Sequence, residues 1–180
     1  MSEARRGDWC QVYSGGVFWP LDPRADEVRI EDIAHALSMI CRFGGHSKSF
    51  YSVAQHSVLV SLICGKDDAR WGLLHDAAEA YVGDMVRPIK HMPELAGYRR
   101  AESAILSAIA NKFDLPIFPP QSVVRADNVL LATEARDIMG GQVCPWHLTQ
   151  EPLAMKICPV GPEEAECLFL LRFDELGGKR

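Results

Sequence analysis

The dipeptide His75-Asp76, set in the run WGLLHDAAEAY, constrains the fold more than any other feature of this chain. The run is rich in Ala and Leu and reads as a buried helix. Burying a histidine or an aspartate without a partner costs on the order of 2–7 kcal/mol, so the pair demands a compensating group. A divalent metal is one candidate, because it takes a neutral imidazole and an ionised carboxylate and balances the charge. A hydrogen-bonded His-Asp pair inside a core is the other, and the dipeptide alone does not choose between them. Consecutive helical residues project roughly 100° apart. An ion held by both would lie between two directions, with other helices closing the site.

Two further acidic groups follow. Glu79 lies at i+4 from His75 and i+3 from Asp76, on the same helical surface. Asp84 comes just after Gly83, where the helix is expected to end. A carboxylate one turn past a metal ligand can hold or deprotonate water. A solvated helix face is the plainer reading of Glu79, but its flanks, Ala77, Ala78, Ala80 and Tyr81, are weakly polar.

The other ligands of such a site must come from neighbouring helices. His56, in SVAQHSVLVSL, sits between Val53 and Val60 on an apolar stripe. Asp127, in VVRADNVLLATEA, sits among Val123, Val124, Leu130 and Leu131. A lone histidine on such a face is usually a satisfied core residue, whereas aspartate is almost never fully buried unless paired.

The remaining pattern is helical. CQVYSGGVFWPLDP reads as a small β-hairpin whose aromatics Tyr13, Phe18 and Trp19 staple it to the body. Ile30, Ile33, Ala34, Leu37, Ile40 and Cys41 recur at helical intervals, with Gly44-Gly45 as the stop. Ser52 reads as the N-cap of a second helix, and a third begins near Asp67-Asp68 and carries the His-Asp pair. GDMVRPIKHMP should be an extended turn, because Pro88 and Pro93 break helices. Further helices are expected from Glu94 to about Phe113, from Pro120 to Met139, and over EEAECLFLLRFDEL. The segment 142–162, with four prolines, should be an irregular lid or arm. The fold class expected is all-α with an appended hairpin, in one domain spanning 1–180.

With 48% hydrophobic residues and a net charge of −5, a full core is expected and a general nucleic-acid-binding surface is not. No apolar run reaches membrane-spanning length and the first residues lack a signal-peptide segment, so a soluble cytoplasmic protein without membrane partners is expected. Six cysteines form no CxxC pair. Cys41, Cys64 and Cys167 read as small buried hydrophobes. Cys144, His147 and Cys158 have a spacing that zinc could use, as a remote alternative.

The order His56, then His75-Asp76, then a distant Asp127 resembles the HD-domain phosphohydrolase superfamily. HDAAEAYVGDMVRPIK looks like its 5'-deoxynucleotidase-like branch, which carries HDxxE, then GD, then Pro and Lys. Arg42-Phe43 stands where that branch has an Arg-Trp pair. The likeness covers residues 30–139. It implies an HD-domain helical bundle with His56, His75, Asp76 and Asp127 as ligands of one divalent metal (Mn, Co, Zn, Fe or Mg). It implies Glu79 and Asp84 as catalytic carboxylates, and Arg42, Phe43 and Lys90 as substrate contacts. The activity implied is metal-dependent hydrolysis of a deoxynucleotide, releasing phosphate from a monophosphate or triphosphate from a dNTP. RFGGH, with His46, also resembles phage-encoded dATP triphosphohydrolases. A dimer or larger assembly is implied too. Gln55, Phe43 and Val86 depart from the branch, which has Glu, Trp and Pro there. The alternatives are a cyclic-nucleotide phosphodiesterase, which needs extra histidines such as His35, His46 or His91, and a non-catalytic nucleotide sensor.

Overall fold

The computed structural model describes residues 5–141, 144 and 146–179. It is mostly helical, with a two-stranded antiparallel hairpin of β1 (Cys10–Gln11) and β2 (Val17–Phe18). Phe18 is fully buried and stacks on Tyr81 at 3.8 Å between ring centroids, so it is the staple of the hairpin. Tyr13 is exposed and instead stacks on His35.

The helices are α1 (Ile30–Met39), α2 (Val53–Ile63), α3 (Ala69–Leu74), α4 (Glu79–Val82), α5 (Arg87–Lys90), α6 (Ala96–Lys112), α7 (Gln121–Asp137) and α8 (Pro162–Glu175). No helix among the described residues is long and apolar enough to cross a membrane. Helix α2 is the axle: α1, α3, α7 and α8 all pack on it. Ser52 caps it by accepting a hydrogen bond from the Gln55 amide at 3.1 Å, as its sequence predicts. Its buried residues run all round, from Val53 through Ser61, rather than along one stripe. A helix enclosed on every side has no amphipathic period to show.

One core joins α1, α2, α3, α6 and α8 through Ile33, Leu37, Val53, Leu74, Ile105, Phe169 and Phe173. A second joins α2, α3 and α7 through Val60, Trp71, Val123 and Leu130. Leu106 and Leu115 pack against both.

Three local expectations are corrected. The helix holding the His-Asp pair is not continuous. It ends at Leu74, residues 75–78 form a tightened turn with bonds from Ala77 to Leu74 and from Glu79 to Asp76, and α4 then resumes. An i→i+3 turn eclipses side chains three apart, which aligns Asp76 with Glu79 more closely than a regular helix does. Secondly, α1 stops at Met39, and Arg42 lies in a separate 3₁₀ turn, Arg42–Gly45, where Phe43 and Gly44 take left-handed backbone. Thirdly, residues 83–93 are not all extended. Pro88 and Pro93 open short helical turns, the position where a missing N–H costs nothing. Cys167, expected inside, is exposed, and Cys41 and Cys64 are only half-buried.

The expected irregular segment begins at Gln142, and Gln142, Val143 and Pro145 lie outside the described residues. From Trp146 to Gly161 the chain has neither helix nor strand. Side chains of the bundle hold it by its backbone. Arg136 donates to the Leu153 and Met155 carbonyls, Asp137 and Thr133 accept from the Ile157 and Leu153 amides, and Gln55 both donates to the Cys158 carbonyl and accepts from the Val160 amide.

Gly72 sets the distance between α2 and α3. A Cβ there would stand 2.6 Å from Cys64 Sγ and 2.9 Å from Ser61 Cα. Gly72→Ala should therefore destabilise the protein, because overpacking costs about 1–3 kcal/mol and outweighs the roughly 1 kcal/mol that alanine gains in helix propensity. Urea unfolding measures it; an unchanged midpoint would show that the two helices part freely.

Candidate metal centre

Three elements bring four side chains together. His56 comes from the buried middle of α2, His75 and Asp76 from the turn after α3, and Asp127 from the face of α7 turned to α2. His56 Nε2 lies 3.3 Å from His75 Nε2, 3.5 Å from Asp76 Oδ2 and 3.3 Å from Asp127 Oδ1. His75 Nε2 lies 3.3 Å from Asp76 Oδ2 and 4.0 Å from Asp127 Oδ1. Donor atoms about 2.0–2.2 Å from one ion, at tetrahedral or octahedral angles, stand roughly 2.8–3.6 Å from one another. His56, His75 and Asp76 form a group that could hold a metal ion. Asp127 approaches from α7, 3.3 Å from His56 Nε2 and 4.0 Å from His75 Nε2, and stands outside that tight group.

Both imidazoles turn Nε2 inward for a stated reason. His75 Nδ1 is 2.8 Å from the Gly72 carbonyl, an acceptor only, so Nδ1 carries the proton. His56 Nδ1 is 2.7 Å from Oε1 of Glu134, a fully buried carboxylate. Burial opposes ionisation of Glu134, but the Arg42 guanidinium and His56 hold it below its ordinary value, so it too accepts. Two bare Nε2 lone pairs 3.3 Å apart repel unless something positive lies between them. Glu134 is a site residue that the sequence reading missed. Its signal was present: it stands seven residues, two helical turns, after Asp127 and so on the same face of α7.

Arg42 is buried against Asp76 (3.4 Å) and Glu134 (3.1 Å). Burial works against its charge, yet these carboxylates hold the guanidinium protonated beyond its ordinary range. Its Nε has no hydrogen-bond partner among the described residues. Phe43 follows with its backbone in the left-handed region (φ 57°), rare for an aromatic residue, and its ring packs 5.7 Å from that of Trp146. Glu79 is buried, and its Oε2 is also without a partner among the described residues. Burial, then the charges of Asp76 and Asp84, push its carboxyl well above the usual range. Asp84 is raised chiefly by burial, with Asp76 adding and Arg42 opposing. Lys90, at the end of α5, donates to Glu102 at 2.5 Å and stands 4.0 Å from Glu79. The residues singled out from sequence thus share one neighbourhood. Cys144 and Cys158 do not join it, being exposed, and His35 pairs with Glu166 instead.

The donor set fits a divalent cation. Asp76, Asp127 and Glu134 bring three negative charges against the single positive charge of Arg42, an excess of two. In the free protein a proton takes part of that role. Burial and Arg42 oppose a charge on His56, but Glu134 and Asp127 lift its imidazole from 6.5 to about 9.

No family model matches the chain. It is 38% identical over 173 residues to YfdR of Escherichia coli K12, an uncharacterized protein, across 94% of this chain and 96% of YfdR. It is 35% identical over 145 residues to an uncharacterized protein of Rhodobacter capsulatus, across 73% of this chain and 74% of that one. The chain belongs to the YfdR family.

The His56 shift has a signed consequence. A value raised in the folded state stabilises fully below 6.5, and that contribution is lost as pH climbs through about 9. With EDTA present, the melting temperature should fall over this window from the His56 contribution. With saturating Mn²⁺ the slope should reverse, because ion and proton compete for the same Nε2. Parallel slopes in the two series would exclude Nε2 as a shared site.

Proposed function

We propose that this protein is a metal-dependent phosphohydrolase acting on deoxynucleotides, either releasing phosphate from a dNMP or triphosphate from a dNTP such as dATP. One observation carries the reading: two imidazole nitrogens and the Asp76 carboxylate converge at ligand spacing, with Asp127 next to them, beside a buried carboxyl whose Oε2 has no partner among the described residues. His56, His75, Asp76 and Asp127 would hold the ion, with Mn, Co, Zn, Fe and Mg as the candidates. The nucleotide part of the proposal rests on the resemblance of HDAAEAYVGDMVRPIK to the deoxynucleotidase-like branch.

When bound, the divalent cation supplies a lowered pKa for water and polarisation of a phosphoryl oxygen. Glu79 holds or accepts the proton at Oε2, which has no hydrogen-bond partner among the described residues. A carboxyl whose value is raised above the ordinary carboxylate range is a stronger proton acceptor than a free one. Burial keeps the Glu79 carboxyl raised, with the charges of Asp76 and Asp84 adding to the effect. Arg42 offers a planar fork, and its burial makes any charge it meets feel it strongly. Lys90 stands 4.0 Å from Glu79, steadied by Glu102. Together the two cations balance charge on phosphoryl oxygens. A purely structural metal site has no use for a carboxyl such as Glu79, and this favours hydrolysis over a non-catalytic sensor.

A screen of the common deoxynucleoside mono- and triphosphates with each of the five metals tests the proposal, reading inorganic phosphate against triphosphate. Turnover of at least one substrate is expected, and Asp76→Ala should lose both the bound metal and that turnover. Full activity after dialysis against EDTA would reject the metal assignment, and no turnover of any nucleotide by the metal-loaded protein would reject the hydrolase.

Glu79→Ala should keep the metal and lose about 10²–10⁴-fold in kcat, the usual contribution of a positioned acid-base group. If kcat is unchanged with metal still bound, Glu79 is only a buried carboxyl and Asp84 takes its role.

A further inference from the structure

We propose that Glu134 is a positioning residue that fixes His56 and Arg42 with a single carboxylate, so that the metal ligand and the anion-binding arginine are built as one unit. The inference rests on the metal reading above and extends it to a residue outside the ligand set. Glu134 has no exposure at all, and neither does His56. Its two oxygens are divided. Oε1 lies 2.7 Å from His56 Nδ1, and Oε2 lies 3.1 Å from Arg42 Nη2. The first contact puts the imidazole proton on Nδ1 and turns Nε2 to His75, Asp76 and Asp127. The second holds the guanidinium so that Nη1 reaches Asp76 at 3.4 Å. Asp76 therefore meets both groups that Glu134 holds, and the four side chains close a ring: Glu134 to His56, His56 to Asp76, Asp76 to Arg42, Arg42 back to Glu134.

Only a carboxylate can do this. Both partners donate, so both oxygens must accept. An amide of the same size accepts at one atom and donates at the other, and so turns a donor toward either His56 or Arg42. Removing one partner of a buried charge pair leaves the other uncompensated. Partners behind a metal-ligating histidine typically govern metal affinity by 10–100-fold.

The test uses the full-length chain and Co²⁺ alone as probe, because its visible absorption reports ligand geometry as well as affinity. Glu134→Gln should weaken Co²⁺ binding about 10–100-fold and alter the absorption bands of the bound ion. A merely structural role predicts something different: a lower melting temperature with Co²⁺ affinity and spectrum of the folded protein unchanged. That result overturns the proposal. Should Glu134→Gln fail to fold, the wild type decides. In the Zn²⁺-loaded protein, NMR of the His56 ring should find a proton on Nδ1 that exchanges slowly with solvent. A metal on Nδ1, or a freely exchanging Nδ1 proton, overturns the proposal while leaving the metal site standing. Failure of the wild type to bind Co²⁺ at all removes the metal reading together with this one.

Discussion

A histidine with no contact to solvent is the constraint from which this structure follows. His56 sits in the middle of α2, and α2 is enclosed by four other helices. Neither of its nitrogens can turn to water, so each must meet a protein group or an ion. Glu134 satisfies one and the cluster of His75, Asp76 and Asp127 faces the other. Every later requirement descends from that arrangement. Glu134, buried and ionised, needs Arg42. Arg42, buried in turn, needs Asp76 as well. The α2–α3 distance must be short enough to bring the two imidazoles together, and Gly72 is the residue that permits it.

The charge imbalance of this cluster is the physical link between stability and function. Desolvated like charges repel strongly, since screening by water is lost. An arrangement with an excess of carboxylate is tolerable only if a cation, a proton or both can be recruited. The raised value of His56 expresses that deficit, and the raised value of Glu79 comes from its burial first and from the charges of Asp76 and Asp84 second. A protein organised for stability alone would gain from fewer carboxylates here, as buried ion pairs are often matched by apolar residues of similar size. Their retention is what makes the interior chemically capable.

Much of the architecture was legible in the sequence. The hairpin, the Ser52 cap, α6, α7 and α8 follow from turn residues, caps and apolar periodicity. What was hidden had physical causes. The run LLHDAAEA has high helix propensity throughout, and nothing local announces the tightened turn at residues 75–78. Gly44-Gly45 looked like the end of α1, while the true stop lies earlier at Met39, where the chain turns so that Cys41 bridges to Ser52. Within the site, His75, Asp76, His56 and Asp127 drew attention because polar residues in apolar runs need an explanation. Glu134 drew none. It lies in ATEARD, near Arg136 and Asp137, where charges usually mark a solvated helix end.

The segment 146–161 shows what such a polar framework permits. It lacks secondary structure of its own, so its backbone groups must find partners one at a time. Gln55, Thr133, Arg136 and Asp137 supply them, and each bonds the main chain rather than a side chain of the segment. Ile157 is buried in the second core, Leu153 and Val160 pack against the cores and Trp146 meets Phe43, so these side chains are tied down as well. Sequence drift among relatives should therefore concentrate at the other positions of the segment, while the four residues that grip its backbone stay constant. Gln55 is the most constrained, since only an amide both gives and receives there. It is also the immediate neighbour of His56, so the same helical turn answers at once to the path of the chain and to the chemistry of the interior.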